Sequence, residues 1–183
     1  MNAVFVGGSR HVSHLGAEVQ KRLDKIVEKK LPVLIGDANG ADKAVQQYLA
    51  NKHYAYVEVF CAGDICRNNL GGWKLRRITT ETKDRTFDFY AAKDRTMSRE
   101  ATVGLMIWDG KSVGTLLNVL RLLRNHKKAV VYHVGEQQFW ELKNESEWPL
   151  FVSHCDAALR SKVEQKASLE EHVQRPIQAS LLT

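Results

Sequence analysis

The sequence predicts a three-layer, Rossmann-like α/β fold, and three observations carry that prediction. Short apolar runs alternate with helix-like stretches over residues 1–133. The run 102–108 is apolar almost throughout, as expected of a parallel strand buried on both faces. Three glycine-bearing loops each follow an apolar run and precede a helix-like stretch. They are Gly7-Gly8-Ser9-Arg10, Gly36-Asp37-Ala38-Asn39-Gly40-Ala41-Asp42, and Asp109-Gly110-Lys111-Ser112-Val113-Gly114-Thr115. In an open parallel sheet such loops gather at the carboxyl edge, where ligands bind. The expectation is a doubly wound parallel sheet of about five strands with a helical C-terminal extension.

The elements follow in order. Ala3–Val6 reads as the first strand. His14–Lys30 reads as an amphipathic helix with Leu15, Val19, Leu23, Ile26 and Val27 on one face, and Ser13 as a candidate cap. Pro32–Ile35 is a second strand and Asp42–Lys52 a second helix. Ala55–Phe60 is a third strand. The polar stretch 61–86 exceeds an ordinary connection and reads as a long loop. A helix over 88–100, a strand over 102–108, a leucine-rich helix over 113–125 and a strand over 128–133 complete the sheet. Residues 1–133 thus form the expected ligand-binding domain, and 134–183 an extension. Within the extension a strand is expected near Leu150–Ser153, a charged helix over 154–172, and a loose tail over 174–183.

The chain has 183 residues, 44% hydrophobic, with a net charge of +6 and a pI near 9.3. That balance suits an anionic ligand or a weak nucleic-acid surface. No basic run exceeds a few residues, so nucleic acid is a possible partner but not the favoured one. Three cysteines, Cys61, Cys66 and Cys155, lack zinc-ligand spacing and fit a reducing cytoplasm. No metal or cofactor is expected. No apolar run is long enough to span a bilayer.

Each loop carries candidate chemistry. Gly7 and Gly8 permit close backbone approach, Ser9 offers a hydroxyl, and Arg10 offers a bidentate phosphate contact. Gly36 and Gly40 mark a turn. Asp37, directly after a strand, suits a ribose hydroxyl or a base role, and Asp42 suits a helix start. The third loop lacks Walker A spacing, yet Gly110, Lys111, Ser112, Gly114 and Thr115 can cradle phosphate at a helix start, with Asp109 beside them. Lys93 and Asp94 share a helix face with Met97, and Asp94 can point into the cleft.

In this order the Gly-Ser-Arg step, the 36–42 segment, the Lys93-Asp94…Met97 helix and the 107–115 segment resemble the SLOG superfamily. That Rossmann-like group includes DprA and LOG-type proteins, and the similarity over 1–133 is strongest to YspA-like proteins. The resemblance implies nucleotide or nucleotide-derived ligands at the carboxyl edge and a homodimer. Some members are sensors, and others hydrolyse N-glycosidic bonds. The LOG motif Pro-Gly-Gly-x-Gly-Thr-x-x-Glu keeps its Gly-Thr step here at Gly114-Thr115, but Asn118 stands where the motif has glutamate. An amide cannot act as carboxylate nucleophile or base. A hydrolase reading therefore needs another carboxylate, Asp37 or Asp94. The leading expectation is a nucleotide-ligand binding or sensing module. A nucleotide glycosidase or transferase and a DprA-like nucleic-acid-associated protein are the alternatives.

Overall fold

The computed structural model describes residues 2–79 and 87–174. Six strands run parallel: β1 (Val4–Gly8), β2 (Val33–Gly36), β3 (Val57–Ala62), β4 (Lys74–Ile78), β5 (Val103–Trp108) and β6 (Lys128–His133). A last strand, β7 (Gln138–Leu142), turns back antiparallel on β6. The seven-stranded order is β4-β3-β2-β1-β5-β6-β7. Connections leave β1 toward one edge and β5 toward the other. The boundary between β1 and β5 is therefore the topological switch point, where an open α/β sheet forms its ligand crevice.

Strand alternation explains the three layers. Val4 and Val6 of β1 belong to one buried cluster, with Val33 and Ile35 of β2 and Leu105 and Ile107 of β5. Helices α1 (Ala17–Glu28) and α2 (Ala41–Asn51) cover this face with Val19, Leu23, Ile26, Val45 and Leu49. The intervening residues Phe5, Leu34, Phe60 and Met106 enter the opposite cluster. Helices α3 (Phe87–Glu100) and α4 (Val113–Arg124) cover that face, with α6 (Ala157–Gln174) behind α4. Central strands clothed on both sides read as continuous apolar runs, which is why β5 was legible.

Several expectations change. The 61–86 stretch contains β4, so part of it is sheet rather than loop, while 80–86 lie outside the described residues. β4 escapes an apolar-run test because Lys-Leu-Arg-Arg-Ile sits at a sheet edge, where Lys74 and Arg76 reach Glu58. The expected strand at Leu150–Ser153 is instead α5 (Trp148–Ser153), which Pro149 opens at a position where a proline N–H is not needed. Ser13 does not cap α1; its hydroxyl meets His14 Nδ1, and Gly16 takes the cap position without a side-chain bond. The leucines of α4 are buried within this one chain. The extension joins the same core: Leu142, Phe151, Leu159 and Val163 lie in the cluster with α4, and Trp140 and Trp148 pack on Phe151. The tail over 175–183 lies outside the described residues.

Candidate functional site

A cavity of about 570 Å³ opens at the carboxyl edge of β1 and β5. Gly7, Gly8 and Arg10 reach it from the loop after β1. Asp109, Lys111, Ser112, Gly114 and Thr115 reach it from the loop after β5. Asp42 enters from α2, Tyr90, Lys93 and Asp94 from α3, Asn118 and Arg121 from α4, and Arg67 from the loop after β3. Of the residues singled out in the sequence, Ser9, Gly36, Asp37, Gly40 and Gly110 do not line it.

Ser9, Gly36, Asp37 and Gly40 lie behind the lining and hold it in place. Ser9 is fully buried, and its hydroxyl donates to Asp109 Oδ1 at 3.0 Å, accepts the Asp109 N–H at 3.1 Å and meets Thr115 Oγ1 at 3.2 Å. It thereby sews the β1 loop to the β5 loop. Gly40 has φ of +81°, and a Cβ there would strike the Arg10 backbone. A Cβ on Gly8 would strike the Ile107 carbonyl. These glycines allow backbone to meet backbone, while nothing lies within 4 Å of a Cβ on Gly114. Only at Gly114 does the missing side chain leave open space at a helix start.

Asp37 is turned away from the cavity. Its Oδ2 accepts the Arg67 backbone N–H and Nε, both at 3.1 Å, and its Oδ1 accepts Arg67 Nη2 at 2.8 Å. Burial raises its pKa, but the Arg67 bonds and the Lys93 charge outweigh burial and hold it below the usual carboxylate range. The expected base is a clamp for Arg67. Asp109 is also occupied in part: its Oδ1 accepts the N–H groups of Lys111 and Ser112 at 2.9 and 2.8 Å. Burial opposes ionisation there, yet those bonds and the Ser9 hydroxyl keep its pKa low. Ser112 Oγ in turn caps α4 by accepting the Thr115 N–H at 3.3 Å.

The floor is a chain of buried charges. Lys93 Nζ donates to Asp94 Oδ1 at 2.9 Å, and Asn118 Nδ2 donates to Asp94 Oδ2 at 3.2 Å. Arg121 donates to Asn118 Oδ1 and lies 3.8 Å from Asp94 Oδ2. Behind it, Arg121 Nε donates to Glu170 Oε2 at 3.1 Å, and Nη2 pairs with the other oxygen. Burial alone would raise the Asp94 pKa; Lys93, Arg121 and Asn118 reverse that and lower it. Burial alone would lower the Lys93 pKa, but Asp94 and Asp42 raise it. Asp42 is the exception. Burial, with repulsion from Asp94 and Asp37, pushes it up to about 6 against the pull of Lys93 and the Ala38 N–H. A Cβ on Gly36 would collide with both Asp42 and Lys93, so glycine there admits this pair.

The mouth is different. Arg10 and Lys111 are exposed and have no ion-pair partner among the described residues. Arg10 Cζ and Arg67 Cζ lie 5.6 and 5.0 Å from the Tyr90 ring centre, so Tyr90 carries two guanidiniums. Arg67, Arg121 and Glu170 were missed in the sequence. No local pattern marks them, because they reach the site from partners 30 and 49 residues away.

A second cluster borders the site. Cys61 and Cys66 are joined by a disulfide, where sequence reading gave them no partner. Their sulfurs and an Asp37 oxygen all lie within 4.8 Å of one another. Among the described residues, no helix is long and apolar enough to cross a membrane.

Fold and cavity together define a Rossmann-like α/β protein with a switch-point crevice. No family model matches the sequence, and no curated protein matches it. Among solved structures, the fold is similar to that of DNA processing protein A (DprA) from Helicobacter pylori. The two share 11% identity with a TM-score of 0.57, over 91% of this chain and 80% of the other. That structure was described for its single-stranded DNA binding mode.

Proposed function

We propose that this chain binds a nucleotide or nucleotide-derived small ligand in the switch-point cavity, as a SLOG-type sensor or binding module. One observation carries the reading: the mouth holds two cations, Arg10 and Lys111, with no acid to neutralise them among the described residues, while the floor beneath is charge-balanced. Cations without an ion-pair partner beside a helix start attract phosphate. Gly7, Gly8 and Gly114 then supply close backbone approach, with the Ser112 and Thr115 side chains beside them. The Asp109 oxygen that has no hydrogen bond among the described residues is the ribose partner, and the ionised Asp94 faces the ligand's uncharged end. The likeness to YspA-like proteins, a homodimer and a cytoplasmic setting belong to the same reading.

The test is thermal unfolding with AMP, ADP, NAD and ADP-ribose. Binding to the folded state raises the midpoint with ligand concentration. A rise with one nucleotide that is lost in the Arg10→Ala/Lys111→Ala variant is expected. No rise with any of them overturns the reading. Turnover of the bound nucleotide would make this an N-glycosidic hydrolase or transferase. Asp94 is then the catalytic candidate, because its carboxylate lines the cavity against Asn118, whereas Asp37 is sequestered.

The DprA-like fold and the +6 charge favour a second reading, single-stranded nucleic acid across the same mouth. It predicts affinity for oligonucleotides that falls steeply with salt.

A further inference from the structure

The Cys61–Cys66 disulfide sits one residue from a cavity-lining arginine. Cys61, the penultimate residue of β3, is 0% exposed, whereas Cys66 is part-exposed next to Ile65, which is 66% exposed. Their Cα atoms are 5.3 Å apart, within the ordinary range for a bridge. Cys66 leads directly into Arg67, whose backbone N–H and guanidinium both clasp Asp37 and whose guanidinium lies by Tyr90.

Beyond Arg67 the chain is pinned by other means. Asn68 Nδ2 donates to the Asp37 carbonyl at 2.8 Å, and Gln46 holds Asn68 and Leu70. Before Cys61 the chain is sheet. Between them, the Gly63 N–H to the Ile78 carbonyl and Arg77 to the Asp64 carbonyl are peripheral ties. The bridge is therefore the one disulfide constraint on how the chain enters Arg67, and it ties that turn to the core through Cys61.

We propose that Cys61–Cys66 is a thiol–disulfide exchange site whose state fixes or frees Arg67 at the cavity wall. The co-reactant is a low-molecular-weight thiol. Its thiolate attacks the accessible Cys66 sulfur. The S–S bond breaks, and the electron pair leaves on Cys61, which takes up a proton. A second thiol attacks the mixed disulfide, freeing the Cys66 thiol and releasing the oxidised co-reactant as its disulfide. Two electrons pass to the protein. Oxidised, Arg67 is held ready beside Tyr90; reduced, the 63–67 turn relaxes, and Arg67 must be ordered again whenever an anion binds. This consequence for the ligand rests on the nucleotide reading above; the exchange site itself does not.

The experiment compares oxidised and dithiothreitol-reduced protein with the Cys66→Ser variant. Alkylation under native conditions followed by intact mass should show Cys66 modified only after reduction. Amide hydrogen exchange should quicken at 63–67 on reduction and in Cys66→Ser, with β1, β5 and α4 unchanged. With ADP as probe, the dissociation constant should rise about two- to tenfold on reduction, the ordering cost of one long side chain. Cys66→Ser should match the reduced protein and ignore dithiothreitol. Redox-dependent exchange at 63–67 without any ADP binding upholds the exchange site and overturns the nucleotide reading. Equal exchange in both states overturns the proposal. So does stoichiometric zinc retained on Asp37, Cys61 and Cys66 by a protein that forms no disulfide in air.

Discussion

The floor and the mouth of the cavity treat charge in opposite ways. On the floor, Lys93, Asp94, Arg121 and Glu170 are each matched to an opposite charge within the chain, and all four are buried or nearly so. At the mouth, Arg10 and Lys111 are exposed and have no ion-pair partner among the described residues. A matched buried charge belongs to the folded state, because its desolvation is tolerable only with its partner in place. An unmatched exposed charge contributes little to folding and is free for a ligand. The floor is thus expected to govern stability and the mouth affinity.

The sharpest way to break that division is Lys93→Met. It leaves Asp94 and Asp42 facing each other without the shared cation. The expected loss is about 3–5 kcal/mol, the usual cost of orphaning a buried charge, read from urea unfolding. Arg10→Ala should stay within about 0.5 kcal/mol of the parent yet abolish the nucleotide-dependent rise in midpoint. A large stability loss in Arg10→Ala would erase the distinction.

Asp42 sharpens it through pH. Its folded pKa, raised to about 6 by burial, exceeds the ordinary 3.8. A raised acid pKa means the folded state binds the proton more tightly than the unfolded state. Its contribution is therefore fully present below pH 4 and is lost as pH rises through about 6. Lys93, Asp94, Asp37 and the Ala38 N–H face this carboxyl. The lowered pKa values of Asp94 and Asp37 place their own pH effects below about 4. Asp42→Asn should remove a decline on the order of 2–3 kcal/mol between pH 4 and 7. Urea titrations of both proteins at several pH values check it. Parallel curves for the two proteins would show that Asp42 is not the proton-binding group.

The same contrast marks what the sequence could disclose. Residues attached to strand ends were legible: Arg10, Lys111, Gly114 and Thr115 fall beside apolar runs, and an open parallel sheet sends such loops to one edge. Asp94 was legible as one face of α3. Arg67 and Glu170 were not, because only tertiary folding brings them to Asp37 and Arg121. Among the elements, β1, β2, β3, β5 and β6 announced themselves by apolar runs. β4 hid behind its charges at the sheet edge. Leu150–Ser153 was too short for period to separate strand from helix, and Pro149 decided for helix. Asp37 shows a different limit. Its position after β2 was read correctly, but not the arginine that occupies it.

The glycines give the smallest and most discriminating test. Gly8→Ala forces a Cβ onto the Ile107 carbonyl and close to Ala41, so β1 must part from β5. A loss of about 1–3 kcal/mol is expected from such overpacking. Gly114→Ala meets nothing within 4 Å and replaces a poor helix former in the first turn of α4. It should hold or raise stability, by up to about 1 kcal/mol. Its methyl would nevertheless occupy the space where a phosphate approaches the helix start. The nucleotide shift should then shrink although the protein is at least as stable, which separates a binding role from a structural one. An undiminished shift in Gly114→Ala would move the phosphate away from α4 and leave Arg10 and Arg67, beside Tyr90, as its remaining station.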